Sequence, residues 1–301
     1  KRIISIVRGN PRARFNVPQR SILNFTGTES KIAGTTREND DTEVEGFRCD
    51  ALLIEIGRIL ADSVNIGHKQ VRIGVIRIPT FYIDFEGRSA GKPDYKSVTR
   101  DVRRLISTLG PEKIDGLIVD LRGNGGGALT EAADLTGLFL ESGPIYQTKD
   151  AKDQIRIKND PSSTIEYSGP LLVVVDRDTA GGSEILAGAV QDYRRGIIVG
   201  EPTFGLGTVG NMVDLNRYAR SSEEKLGQMK FTIAELYRVT GNSIQQRGVV
   251  PDIVLPVAES NNDHGERKFD NALPWTQIAP ADYELVADPE FDKYLTQFRK
   301  L

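Results

Sequence analysis

From Val71 onward, hydrophobic and polar positions alternate between two periods. VRIGVIRI (Val71–Ile78) reads as a strand. Val98, Val102, Leu105, Ile106 and Leu109 then recur at the spacing of an amphipathic helix. LIVDL (Leu117–Leu121), LLVVV (Leu171–Val175) and IIVG (Ile197–Gly200) are short unbroken apolar runs, as expected of strands buried on both faces. One helix is predicted through Leu135, Leu138 and Phe139, and another from about Glu184 through Val190. At the carboxyl end, Phe291, Tyr294, Leu295 and Phe298 share one face of a further helix. Strands alternating with helices of this length imply parallel βαβ crossovers. The expected fold class is α/β (α+β), with a mixed, largely parallel sheet.

The first seventy residues have a weaker pattern. Lys1–Val7 alternates enough for a strand. Pro11, Pro18 and a polar run from Thr35 to Glu45 then read as loop. A short helix is predicted around Cys49 to Val64, because Leu52, Ile56, Ile59 and Leu60 fall at helical spacing. This part reads as a loop-rich appendage, and residues 71–301 as the core.

Composition narrows the function classes. The chain has 301 residues, 39% of them hydrophobic and 27% charged, which fits a soluble globular protein. A net charge of −3 argues against nucleic acid as a partner, because such binding needs a basic footprint. No apolar run approaches the roughly 18–20 residues that span a bilayer. The single cysteine, Cys49, excludes an intrachain disulfide and any CxxC motif. With only His68 and His264, both expected at the surface, no metal site and no cofactor is expected. The chain begins at Lys1 without an initiator Met or a signal peptide, and is expected to be a mature or trimmed fragment.

Three segments could carry chemistry, each just after a buried strand, where open α/β sheets place their ligands. DLRGNGGG (Asp120–Gly127) ends in three consecutive glycines, which suggests unusual backbone angles or a close approach. Its N–H groups could receive an anion; a plain tight turn is the alternative. The run is not a phosphate loop, since no GxxxxGK[ST] occurs. DRDTAGGSEILAGAVQDY (Asp176–Tyr193) runs from a strand through a small-residue elbow into a helix. Ser183 is the only hydroxyl candidate there besides Thr179, although a serine before Glu184 at a helix start is more often a cap. GEPTFGLGTVG (Gly200–Gly210) contains Leu206, a bulky apolar residue among glycines that is expected to fill a pocket.

Together these segments resemble the tail-specific, or carboxy-terminal processing, proteases, which are serine peptidases of the Ser–Lys dyad type. The shared motifs run in one order: DLRGNGGGALTEA (Asp120–Ala132), VVVDR (Val173–Arg177), SEI (Ser183–Ile185), QDY (Gln191–Tyr193) and VGEPTFG (Val199–Gly205). GVVPDI (Gly248–Ile253) and FDNALPW (Phe269–Trp275) resemble the long, periplasmic branch. The resemblance covers about residues 71–301. Lys1–Val7 looks like the last strand of the family's PDZ domain, so residues 1–70 are expected to hold a PDZ remnant plus an unassigned segment.

The resemblance implies a nucleophilic serine, a buried neutral lysine as base, and backbone donors for the oxyanion. The family elbow places its serine three residues before a Glu, and here that position is Gly181. The lysine of the family's G-K-G-T turn is Leu206, and the glutamine four residues later is Gly210. The oxyanion donors implied are the N–H groups of Gly126, Gly127 and Gly182. Asp192 and Glu201 match the family as supports of the fold. The expectation is a silent or nearly silent homologue binding peptide or protein C-termini, an active paralogue or an adaptor. An oligomer is compatible with this reading, and a periplasmic location follows from the resemblance alone. The alternative is an active peptidase using another nucleophile, Ser183 being the obvious candidate, with a lysine from the unassigned N-terminal region as base. A third and more distant resemblance is to retinoid- and fatty-acid-binding proteins that share the core.

Overall fold

The structure, a computed structural model, describes residues 5–7, 58–66, 69–110, 114–160, 162, 164–218, 226–256, 264–286, 291 and 295–296. In chain order the elements are β1 (Ser5–Val7), β2 (Arg58–Ile66), β3 (Lys69–Arg77), α1 (Phe85–Ser89), α2 (Val98–Leu109), β4 (Gly116–Asp120), α3 (Leu129–Thr136) and β5 (Pro144–Asp150). They continue with β6 (Ile155–Asn159), β7 (Leu171–Val175), α4 (Gly182–Asp192), β8 (Ile197–Gly200), β9 (Thr208–Asp214), β10 (Gln228–Tyr237) and β11 (Ile253–Val254). Two compact units result. The larger comprises Lys1–Ile3, Ile54–Asn211 and Phe231–Leu301, and the smaller Ile4–Leu53 and Met212–Lys230.

The larger unit is organised by a six-stranded sheet in the order β11-β8-β7-β4-β3-β2. Neighbours from β11 to β3 are parallel, and only the β3–β2 edge is antiparallel. The expected α/β architecture is therefore present. The unbroken apolar runs are its central strands, with Leu117, Val119, Val173, Val175 and Ile198 buried. α2 buries Val98, Val102, Ile106 and Leu109, the stripe its sequence spacing marks out. Ser97 caps its first turn by accepting from the Arg100 N–H, and Gly110 ends it at a positive φ of 64°. Beside this sheet, Ala234–Tyr237 of β10 pairs antiparallel with Gln147–Asp150 of β5, which also pairs with β6. In the smaller unit, Ser5–Val7 pairs antiparallel with Gln228–Lys230.

Several expectations need correction. Residues 58–64 are not helical: they belong to β2, which pairs with β3 after a two-residue connection. Ladder bonding to a neighbouring strand outweighs a helical spacing whose intrinsic preference is weak. Residues 49–57 and His68 lie outside the described residues. α3 stops at Thr136, before Leu138 and Phe139. Gly137 lies under Asp160, where a Cβ would be 2.3 Å from Oδ1. There the chain tightens, with Leu138 and Phe139 N–H groups donating three residues back to Leu135 and Thr136. Both side chains are buried all the same. Of the C-terminal helix, Phe291 and Leu295 are helical, and Tyr294 and Phe298 lie outside the described residues.

Between α4 and β10 lies a largely desolvated ion pair. The Arg238 guanidinium donates from Nε to Asp192 Oδ2 at 3.0 Å and from Nη2 to Oδ1 at 2.5 Å. Burial pushes the Asp192 carboxyl up, and Arg238 opposes that shift. Arg238→Met should therefore cost about 3–5 kcal/mol, because it leaves the carboxylate buried without its counter-charge. Urea unfolding measures this, and an unchanged midpoint would contradict a buried pair.

Candidate functional site

β4, β7 and β8 are adjacent and parallel, so the loops after them meet at one edge of the sheet. The first loop is organised by Asn124, which is fully buried. Its Nδ2 donates to Ile78 O at 2.8 Å, and its Oδ1 accepts the Gly126 N–H at 2.9 Å. Its own carbonyl accepts the Ala180 N–H at 2.9 Å and the Ser183 hydroxyl at 3.1 Å. One asparagine thus ties the end of β3, the glycine run and the elbow together.

The glycines answer to contact. A Cβ on Gly126 would lie 2.9 Å from Ala180 O and 3.0 Å from Gly182 N, so the loop packs directly on the elbow. A Cβ on Gly127 would lie 2.2 Å from Phe81 O. Gly181, at φ 57° and ψ −114°, turns the chain from β7 into α4. These angles are strained for a residue with a side chain, as at a nucleophile elbow. Space itself is available at Gly181: a Cβ would meet Leu206 Cδ2 at 3.6 Å and Gly125 O at 3.8 Å.

The elbow and the Leu206 turn are held by one carboxylate. Glu184, with no solvent exposure, accepts from the Gly181 N–H (2.9 Å), the Gly205 N–H (2.7 Å), the Leu206 N–H (2.9 Å) and the Thr203 hydroxyl (2.5 Å). Burial pushes its carboxyl up to about 7, and the four donors oppose that rise. Nearby, the Asp176 carboxyl is raised by burial while the Gly123 N–H donates to it. Glu201 is lowered by the two-pronged Arg177 guanidinium (2.9 and 3.1 Å). No cluster of three or more His, Cys, Asp or Glu suited to a metal occurs among the described residues.

The structure brings Gly181 and Leu206 together, and neither side chain carries a heteroatom. Gly210 is exposed on β9. Of the proposed oxyanion donors, Gly126 differs from expectation: its N–H already donates to Asn124 Oδ1, which the asparagine's own buried acceptor demands. The N–H groups of Gly127 and Gly182 have no protein acceptor among the described residues. Ser183 is neither a cap nor exposed. It is the second residue of α4, fully buried, with its hydroxyl donating to Asn124 O. His264 is not a plain surface residue, since its Nε2 lies 3.0 Å from Arg177 O and 3.1 Å from Asp178 Oδ1. The sequence reading missed Asn124, Thr203 and Gln245. A polar residue set among glycines was the signal for Asn124. Thr179, the second hydroxyl of the elbow segment, is buried and donates to Leu121 O at 3.0 Å.

Comparison with known proteins follows the same lines. Residues 72–255 match Peptidase family S41, and residues 260–300 match the C-terminal domain of tail specific protease. The tail-specific protease of Haemophilus influenzae is 46% identical over 211 residues, which is 70% of this chain and 28% of that protein. The carboxy-terminal-processing protease of Bartonella bacilliformis is 34% identical over 163 residues, 54% of this chain and 35% of that protein. The chain therefore spans about a third of the length of these relatives. The solved photosystem II D1 C-terminal processing protease has 29% identity and a TM-score of 0.51, covering 65% of this chain and 46% of its own. Mature CPAF complexed with lactacystin, at 14% identity and a TM-score of 0.52, covers 85% of this chain and 60% of its own and shares the fold.

Two expectations follow from this geometry. Gly181→Ala should cost about 1–3 kcal/mol through backbone strain alone, since no atom is displaced. Gly127→Ala should cost more than about 4 kcal/mol, because its Cβ has no room beside Phe81. Thermal melts of the two variants test the order, and equal losses would refute the packing described. Glu184 supplies the second. Its raised carboxyl binds a proton in the folded state between about 4.5 and about 7, so it makes stability fall as pH rises through that window. Glu184→Gln should be destabilised by about 1–3 kcal/mol through mismatched donors. The wild-type advantage should shrink from the acid to the neutral end of the window in urea titrations; a constant difference would mean an ordinary carboxyl.

Proposed function

Because this chain belongs to peptidase family S41, with glycine and leucine where the family resemblance calls for nucleophile and base, we propose that it is a catalytically silent, or nearly silent, relative of the tail-specific proteases. It retains a degenerate cleft that binds peptide or protein C-termini. The observation that carries this reading is the 3.6 Å between Leu206 Cδ2 and the place a Gly181 Cβ would occupy. The two positions converge as a nucleophile and its base must, and neither residue can serve. Losing a serine-protease nucleophile lowers turnover on the order of 10⁶-fold, about 8 kcal/mol of barrier. Leucine suits an apolar site built for a lysine stem without burying an amine. The Gly127 and Gly182 N–H groups are suited to a terminal carboxylate or a peptide carbonyl.

The alternative, an active enzyme using Ser183, has geometry against it. A fully buried hydroxyl already donating to Asn124 O is shielded from substrate. An active paralogue or an adaptor suits the same cleft, and a periplasmic location and an oligomeric state belong to the same proposal. No described helix is long and apolar enough to cross a membrane.

A serine-directed fluorophosphonate probe should leave the chain unlabelled, whereas labelling lost in Ser183→Ala would establish the alternative. Calorimetry with peptides ending in apolar residues should register binding through a free terminal carboxylate. Absence of heat across several tail sequences would overturn the binding reading. Gly181→Ser combined with Leu206→Lys should gain hydrolysis of such peptides.

A further inference from the structure

The cleft is also held from outside, by a short stretch of the C-terminal segment. His264 Nε2 faces two acceptors, Arg177 O at 3.0 Å and Asp178 Oδ1 at 3.1 Å, so that nitrogen carries the hydrogen. Arg177 and Asp178 lie four and three residues before Gly181. The His264 ring also meets the Phe204 ring edge-on, with centroids 5.7 Å apart. Phe204 lies two residues before Leu206, and its N–H donates to Thr179 O at 2.9 Å.

The next two residues grip the same turn. Gly265, at φ 90°, lies so close that a Cβ would be 2.6 Å from Phe204 O. The Glu266 N–H donates to that carbonyl at 2.9 Å. Glu266 Oε1 accepts from Gln245 Nε2 at 3.3 Å, and Gln245 Oε1 accepts the Gly207 N–H at 2.9 Å. Three consecutive residues thus reach the elbow loop through His264 and the Leu206 turn through Phe204 and Gly207. Glu184 joins these parts from inside, and residues 264–266 join them from outside.

We propose that His264–Gly265–Glu266 is a positioning strap that fixes the Leu206 turn against the elbow and couples the C-terminal segment to occupancy of the cleft. The coupling rests on the peptide-binding reading above, whereas the positioning does not. By reciprocity, a partner that pulls on this segment would weaken ligand binding, and ligand would tighten the strap.

Amide hydrogen exchange on the whole chain tests the positioning without any ligand. In His264→Ala, exchange at Gly205, Leu206 and Gly207 should rise about tenfold while α2 is unchanged. His264→Gln, which keeps an N–H donor, should restore protection. An unchanged turn, an equal rise in α2, or no rescue by glutamine would overturn the strap. With a bound tail peptide, affinity should fall at least threefold in His264→Ala and return in His264→Gln. Unchanged affinity would overturn the coupling, and if the unaltered chain binds no peptide the fault lies with the binding reading, leaving exchange to decide the strap.

Discussion

Everything at the candidate site depends on satisfying one buried carboxylate. Glu184 has no access to water, so its charge or its proton must be met by the protein. Three backbone N–H groups and one hydroxyl meet it, drawn from the elbow and from the Leu206 turn. Its acceptors therefore set the positions of Gly181, Thr203, Gly205 and Leu206 at once. A shift of either loop would orphan donors that have no solvent to turn to. This explains how the local frame can persist when the side chains at 181 and 206 offer no chemistry.

The frame and the chemistry are carried by different atoms. Backbone groups, glycines and buried polar side chains such as Asn124 and Thr179 hold the loops in register. The reaction of the family needs only an oxygen and an amine at two side chains, whose replacement leaves those bonds untouched. Glycine at 181 even relieves a strained backbone that a serine would have to bear. Glycine at 181 and leucine at 206 thus leave intact the backbone hydrogen bonds that hold the two loops.

Much was legible along the chain because strand and helix periods are local properties. The apolar runs that became β4, β7 and β8 are central strands, β4 buried on both faces and β7 and β8 fully buried on one face and partly covered on the other, and the α2 stripe could face only one way. The glycine-rich segments marked the sheet edge that carries the site, and the motif order pointed to the family. Local pattern failed where packing overrode spacing: β2 pairs with the neighbouring β3 where spacing suggested helix, and α3 gives way to a tighter turn at Gly137, which lies against Asp160.

The sequence by itself determined that glycine stands at 181 and leucine at 206, since identity needs no coordinates. Only the tertiary structure decided that those two positions lie side by side, that Ser183 is locked onto Asn124, that the Gly126 N–H is already engaged, and that His264 reaches back to the turn. Each of these is a contact between residues far apart in the chain or a direction of a backbone bond. Neither is encoded in the spacing of residue types, because it arises when packing brings buried donors and acceptors within reach and desolvation forces them to pair.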